Sequence, residues 1–203
     1  MRIRVHHAGS RRASTWKNGK GVTREVAVYP PSGDLDNFEW RVSIAEVSED
    51  GIFSVFHGVD RKLAVLDGTL VLNIGDNPAI TLSRESEPVA FPGDVPCRAN
   101  ILSPLVRDLN VMTRREHYSS RLTMVEVGGT ATIAVEVDKT VIVALHNLTI
   151  EMDRSVVHLC PLDAATFEND LEHRCRYGCN IKPSGTIEAA RFYVVDLFTE
   201  RGT

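Results

Sequence analysis

Several features of common functional classes are missing from this sequence of 203 residues. No stretch approaches the roughly 20 consecutive apolar residues of a membrane helix, so no membrane contact is expected. The opening residues, MRIRVHHAGS, contain no apolar core of a signal peptide. The four cysteines are too few and too clustered for a disulfide framework: Cys97, Cys160, Cys175 and Cys179. We therefore expect reduced thiols and a cytoplasmic location.

Charge of one sign is also lacking. The chain has 23 Lys and Arg against 27 Asp and Glu, a formal net charge of −4, and no long basic run. Nucleic-acid binding normally needs a concentrated basic surface, so no nucleic-acid partner is expected. A Gly-x-Ser-x-Gly elbow and a phosphate-binding glycine loop are absent too, which argues against those two kinds of active site.

The sequence is rich in short β-type segments. Apolar residues make up 43% of the chain, enough for a sizeable core. Runs of Val, Ile, Thr and aromatics alternate with Gly, Pro, Asn and Asp, which indicates an all-β fold. We predict a hairpin at Asp67-Gly68 and a short helix within 161–172. Predicted strands cover 22–29, 39–47, 61–66, 69–74, 79–82, 106–113, 131–137, 140–145, 147–152, 155–159 and 191–198.

An internal repeat is suggested by two similar stretches, LAVLDGTLVLNI at 63–74 and VIVALHNLTIEM at 141–152. Each has a hydrophobic run, a turn and a second alternating strand, as expected of a duplicated sandwich or barrel. Gly128-Gly129 lies near the midpoint. We place the two halves at 1–120 and 121–203, closely packed and able to exchange strands.

Three predicted strands carry polar residues on one face. Because alternate strand residues share a face, Arg41 lies on the same face as Ser43. On strand 22–29, Thr23 and Glu25 share one face, and the other face carries Val22, Arg24, Val26 and Val28. In 106–114, one face carries Asp108, Asn110, Met112 and Arg114. These faces could be solvated, or they could line a polar pocket. Asp60-Arg61 could be a structural ion pair or part of a site.

Long motifs in the first 115 residues resemble the HutD/Ves family. They are WKNGKGVTREVAVYP (16–30), FEWRVSIAEVSEDGIFSVFHGVDR (38–61), LDGTLVL (66–72), FPGD (91–94) and DLNVMTRR (108–115). Lys20 stands where glycine is expected, and His57 stands where proline is expected. The resemblance implies a bicupin fold and a link to histidine-degradation operons. It also implies that the protein binds a pathway intermediate such as N-formylglutamate and thereby restrains over-induction of the pathway.

The resemblance favours the pocket interpretation, because the polar faces lie inside the family motifs. An arginine there could bind a carboxylate through two hydrogen bonds, and Glu25 and Asp108 would pair with the arginines. Trp16, Lys17 and Asn18 would close one end. The predicted ligand-binding residues are Trp16, Lys17, Asn18, Thr23, Glu25, Arg41, Ser43, Arg61, Asp108, Asn110 and Arg114.

No metal or other cofactor is expected. The histidine and glutamate pattern of metal-binding cupins is missing, since His6 and His7 are adjacent and Val95-Pro96-Cys97-Arg98 follows the FPGD motif. His173, Cys175 and Cys179, with Cys160 as a fourth ligand, could bind zinc, but their spacing favours incidental thiols.

Three functions remain open. The first is a non-catalytic binding protein for a small carboxylate metabolite, regulating histidine utilisation. The second is a metal-independent enzyme with Glu25 and Asp108 as its acid/base pair. The third is an interaction scaffold, for which exposed strand edges would also allow a homodimer. We expect binding rather than catalysis; the sequence leaves the identity of the ligand open.

Overall fold

The computed structural model describes residues 2–16, 21–135, 137–152, 155–168 and 177–200. These residues form β-strands, with one 3₁₀ turn at Ala8–Ser10. They divide into two compact units, one of Arg12–Ser119 with Glu200, and one of the residues up to Arg11 with Ser120–Thr199. The all-β fold predicted from the sequence is confirmed.

Short strands with β-branched and aromatic residues build the first unit, and β1 precedes them in the chain. The bounds are β1 Arg2–His6, β2 Ala13–Thr15, β3 Gly21–Tyr29, β4 Trp40–Val47, β5 Gly51–Phe53, β6 Val59–Asp67, β7 Thr69–Ile74, β8 Ile80–Ser83, β9 Val89–Pro92, β10 Cys97–Ile101 and β11 Val106–Arg114. A six-stranded sheet has the order β2-β3-β4-β11-β6-β9, and a four-stranded sheet has the order β5-β10-β7-β8. The neighbouring strands described in these two sheets pair in the antiparallel sense.

The second unit repeats this arrangement. Its further strands are β12 Tyr118–Val127, β13 Ala131–Val135, β14 Lys139–Ala144, β15 Leu148–Met152, β16 Ser155–Leu159, β17 Ala164–Glu168, β18 Tyr177–Pro183 and β19 Ala190–Thr199. The sheets have the orders β1-β17-β14-β19-β12 and β13-β18-β15-β16. The eight strands β4 to β11 therefore occupy the same places in the first unit as β12 to β19 do in the second. This correspondence supports the predicted duplication.

Each unit has its own apolar core. In the first, Leu63 and Val65 of β6 pack with Leu70 and Leu72 of β7. In the second, a cluster around Ile142, Leu148, Ile150, Phe167 and Phe192 takes the same position. The alternating burial of β7 and the almost fully buried β14 follow from the period of two along a strand, because one or both faces of each strand are covered.

The predicted hairpin at Asp67-Gly68 is wrong. β6 and β7 lie in different sheets, so the chain crosses from one sheet to the other at this point. Gly68 has a φ of +80°, and a Cβ there would lie 2.5 Å from the carbonyl oxygen of Leu105. Asp67 has no positive φ, which a two-residue type I′ turn would require. The β14–β15 connection crosses between sheets in the same way.

Three further expectations need correction. Within 161–172, residues 164–168 form strand β17 rather than a helix, because this segment pairs with β14 on one side and β1 on the other. The same pairing places residues 2–6 in the second unit, although they were expected in the half 1–120. A β-bulge between Glu25 and Ala27 shifts β3, so Val28 lies opposite Arg41 and shares the face of Glu25.

Candidate functional site

Charged and polar side chains converge on the inner face of the six-stranded sheet. Asn110 of β11 lies opposite Ser43 of β4 and Leu63 of β6, and Met112 lies opposite Arg41 and Arg61. Leu63 belongs to the core of the first unit, so this face of the sheet points inward. We call Arg41, Ser43, Arg61, Asp108 and Asn110 the polar cluster. These polar residues are not on a solvated face: Ser43 and Asp108 are each 1% exposed.

Arg61 is the most deeply buried cation of the cluster, with 4% of its surface exposed. Its guanidinium carbon lies 4.7 Å from the ring centre of Phe53, 5.3 Å from that of Phe91 and 5.9 Å from that of Phe56. One Nη donates to the carbonyl oxygen of Ser54 at 3.4 Å. Burial lowers the pKa of Arg61 to about 10, so it remains charged at neutral pH. The rings hold the cation by cation–π attraction and leave its Nε without an acceptor.

Asp108 lies on the neighbouring strand β11, opposite Val65, two inward-facing positions along from the residue that faces Arg61. Burial raises the pKa of its carboxyl to about 7, although the positive charge of Arg61 acts in the opposite direction. Neither carboxylate oxygen accepts a hydrogen bond from any residue that the structure describes, and the same is true of the side-chain oxygen of Asn110. Unpaired buried acceptors destabilise a folded protein, so they point to a site that a ligand or water completes.

Arg41 links the cluster to its exposed edge. Its Nε donates to Glu25 at 3.0 Å, and one Nη donates to the hydroxyl of Ser43 at 3.3 Å. The Arg41 side chain is 11% exposed, whereas that of Glu25 is 41% exposed. The ion pair between Arg41 of β4 and Glu25 of β3 therefore extends from the inner face of the sheet to solvent. Of the predicted carboxylate–arginine pairs, the Glu25–Arg41 pair is present, but no hydrogen bond joins Asp108 to Arg61.

Trp16 and Thr23 meet at the start of β3. The indole nitrogen of Trp16 donates to the Thr23 hydroxyl at 2.8 Å, and the ring covers Gly21, where a Cβ would lie 2.9 Å from it. Gly21 thus allows the close approach of the tryptophan. The other two predicted residues of this loop, Lys17 and Asn18, lie outside the described residues.

Arg114 has a different environment from Arg61. Its Nε donates to the carbonyl oxygen of Phe38 at 2.8 Å, a second nitrogen donates to the carbonyl oxygen of Asp36, and the guanidinium lies over the Phe38 ring. These contacts tie the loop before β4 to the end of β11. The interpretation of Asp60-Arg61 as an ion pair is wrong, because successive strand residues point to opposite faces; Asp60 pairs with Arg115 at 2.8 Å.

The aromatic contacts of Arg61 were not identified in the sequence. Phe53 ends β5 and Phe56 follows three residues later in the loop before β6, whereas Phe91 lies in β9, so the three rings meet only through tertiary contacts such as the pairing of β6 with β9. The available signal was an arginine on the face of β6 that also carries Val59, Leu63 and Val65. Cys97, another missed neighbour, is buried near Arg61, and burial raises the pKa of its thiol to about 11.

A metal centre does not emerge from the described part of the chain, which contains no group of three or more His, Cys, Asp or Glu side chains close enough to bind an ion. Two residues of the zinc hypothesis, His173 and Cys175, lie outside it. Cys160 is exposed, and Cys179 is buried with its thiol 3.4 Å from the carbonyl oxygen of Ile133. The same described residues include no helix long and apolar enough to cross a membrane.

Sequence comparisons connect the chain with curated relatives, one of which is described by its gene region. A "Protein Ves" from Cronobacter sakazakii is 40% identical over 102 residues, 50% of this chain and 55% of the relative. An uncharacterized 21.2 kDa protein in the hutC 3′ region of Pseudomonas putida is 35% identical over 107 residues, 53% of this chain and 56% of the relative. The chain thus spans about half the length of the curated relatives it matches.

Solved structures share the fold over nearly the whole chain. A conserved protein of unknown function from Pseudomonas aeruginosa PAO1 has a TM-score of 0.88 and 26% identity, covering 98% of this chain and 100% of its own. HutD from Pseudomonas fluorescens SBW25 has a TM-score of 0.81 and 23% identity, with the same coverage. An oxalate decarboxylase of Bacillus subtilis has a TM-score of 0.68 at 9% identity, covering 98% of this chain and 78% of its own. These likenesses confirm the bicupin fold.

The family follows from a match of greater extent. The HutD family model covers residues 8–185, which includes the polar cluster and most strands of both units. The sequence motifs that suggested this family include β4, the start of β6 and most of β11, the strands that carry the polar cluster. The chain belongs to the HutD family.

Proposed function

We propose that this protein binds a small carboxylate metabolite in its N-terminal barrel and has a regulatory rather than a catalytic role in histidine utilisation. The observation that carries the proposal is Arg61, a buried cation whose Nε has no acceptor among the described residues. A ligand carboxylate would supply that acceptor and neutralise the cation through charge-assisted hydrogen bonds. N-formylglutamate is the first candidate, because the family resemblance points to it and one curated relative lies in the hutC 3′ region.

Preorganisation of the arginine supports a binding role. The three phenylalanine rings and the Ser54 carbonyl restrict the Arg61 side chain before any ligand arrives. A side chain that is already ordered loses little entropy when the ligand binds, which favours affinity. The Glu25–Arg41 ion pair would form the rim on the solvent side.

The test is calorimetric titration with N-formylglutamate, urocanate, histidine and glutamate. We expect binding of at least one carboxylate by the unmodified protein and loss of it, by about tenfold or more, in Arg61→Gln. Arg107→Gln is the matched control, because Arg107 lies on the same sheet but forms a surface ion pair with Glu46. No heat for any of the four compounds at millimolar concentration would refute the proposal.

A second candidate function is metal-independent catalysis on a related metabolite. Asp108 favours it, because a carboxyl with a pKa of about 7 is suited to general acid/base chemistry near neutral pH. Incubating the candidates and following them by NMR would detect turnover. If turnover occurs and survives both Glu25→Gln and Asp108→Asn, this pair is not the catalytic one. If the protein remains monomeric and captures no partner, the scaffold and homodimer hypotheses lose support.

A further inference from the structure

Residues 51–58, which comprise β5 and the loop before β6, cover one side of Arg61. The ring centres of Phe53 and Phe56 lie 4.7 Å and 5.9 Å from its guanidinium carbon. The carbonyl oxygen of Ser54 accepts a hydrogen bond from the same group at 3.4 Å. Because Arg61 is only 4% exposed, part of this cover must move before a ligand can reach the cation.

The strand end of this segment is weakly attached. β5 is the edge strand of its sheet and pairs with β10 through three residue pairs. The strands of the polar cluster, β4, β6 and β11, lie inside the six-stranded sheet instead. The outward side chains of Ile52 and Val55 are 69% and 45% exposed, so they add little packing energy. Segments with few buried contacts open locally at a small cost in free energy.

Hydrogen bonds latch the loop end of the segment. The N–H of Phe56 donates to the carbonyl oxygen of Gly93 at 2.9 Å, and the N–H of Gly58 donates to the carboxylate of Asp94 at 2.8 Å. Arg115 donates to the second oxygen of this carboxylate at 2.9 Å. Gly58 has a φ of +70°, and no described atom beyond its chain neighbours lies within 4 Å of the place for a Cβ, so a hinge there meets no obstacle.

Building on the proposed function, we propose that residues 51–58 are a flap that swings out about Gly58 to admit the ligand to Arg61. In the open state Phe53 and Phe56 leave the guanidinium, and one face of the cation becomes available to a carboxylate. In the closed state the latch returns both rings. The charge-assisted hydrogen bonds to the ligand then form away from water, where they are stronger.

Cys97 reports on this motion without any ligand. It lies on β10 opposite Phe53 and is 3% exposed, so its thiol is uncovered when β5 lifts. Cys179 is the matched control, because it is buried in the core of the second unit and burial raises the pKa of both thiols to about 11. In peptide mapping we expect iodoacetamide to label Cys97 about tenfold or more faster than Cys179.

Urea distinguishes opening of the flap from unfolding of the first unit. Local opening exposes little surface, so the labelling rate of Cys97 should rise much less steeply with urea than unfolding of this unit, followed by its tryptophan fluorescence. A Cys97 rate as slow as that of Cys179, or one that rises with urea as steeply as unfolding does, would overturn the proposal.

Two variants at Asp94 test the latch. Asp94→Ala removes the acceptor of the Gly58 N–H, so labelling of Cys97 should accelerate by about tenfold. Asp94→Asn keeps an acceptor oxygen and should restore most of the protection, while the rate for Cys179 stays the same in all three proteins. An unchanged Cys97 rate in Asp94→Ala would contradict the latch and the movement that depends on it.

Ligand addition separates the flap from the carboxylate site. Saturating N-formylglutamate should slow the labelling of Cys97 by about fivefold or more and leave Cys179 unaffected, because the ligand favours the closed state. If calorimetry detects no bound carboxylate, the proposed function is wrong, and the flap has no ligand to admit. If a carboxylate binds but the rate for Cys97 does not respond to it, the carboxylate site stands and the flap is wrong.

Discussion

Replacing Asp108 by asparagine should change how the stability of this protein depends on pH. Burial raises the pKa of Asp108 to about 7 in the folded protein, whereas an aspartate in an unfolded chain has a pKa of about 3.9. Between these values the folded state binds more protons than the unfolded state. The free energy of unfolding therefore falls as the pH rises through this window.

The size of the effect follows from the two pKa values. The contribution of Asp108 is fully present below about pH 4 and is lost progressively until the pH passes the folded pKa. Between pH 5 and pH 8 the linkage relation gives a loss of about 2.5 kcal/mol for this one carboxyl. Asparagine has no proton to lose, so the variant should gain about this much relative to the unmodified protein over the same interval.

Urea unfolding at pH 5 and pH 8 measures this difference. The two tryptophans of the chain, Trp16 and Trp40, both lie in the first unit, so their fluorescence reports on the unit that contains Asp108. Asp76→Asn, at an exposed position, serves as the control and should follow the unmodified protein. If Asp108→Asn also runs parallel to the unmodified protein between the two pH values, the reasoning about the buried carboxyl is refuted.

Three other perturbations address the fold. Gly68→Ala should lower the free energy of unfolding by about 1–3 kcal/mol in urea titrations, because φ is +80° and a Cβ would lie 2.5 Å from a backbone oxygen; an unchanged midpoint would contradict this. Asp163→Ala removes the acceptor of the backbone N–H groups of Ala8, just after β1, and of Cys160, just before β17, so hydrogen exchange in β1 should accelerate; unchanged protection would contradict this. Iodoacetamide should modify the exposed Cys160 before Cys97 and Cys179. The latter two are buried, and burial raises the pKa of each thiol to about 11. Equal rates of modification in peptide mapping would contradict this.

Local patterns predicted β3 and the three strands of the polar cluster well. β3, β4, β6 and β11 were each located to within two residues, because β-branched residues alternate along them between clear turn signals. The pairing between strands was harder to predict. The Asp67-Gly68 signal is real, since Gly68 has the expected positive φ, but a sequence pattern does not distinguish a hairpin from a crossing between two sheets.

The site was only partly predictable for a related reason. Asp108, Asn110 and Ser43 were grouped by alternation within single strands, and the register brings them together. The phase of β3 beyond Glu25 was wrong because a bulge leaves no clear mark in this sequence. The phenylalanine rings around Arg61 depend on contacts between distant strands, which no local periodicity encodes.

The two units share a strand order but differ in the residues that fill their interiors. In the first unit, Asp108 and Asn110 of β11 lie opposite β6. The second unit has Phe192 and Val194 of β19 at the matching positions opposite β14. Both are in its apolar core. The cost of burying polar groups at these positions therefore falls on the first unit alone, whereas the matching positions of the second unit add apolar packing to its core.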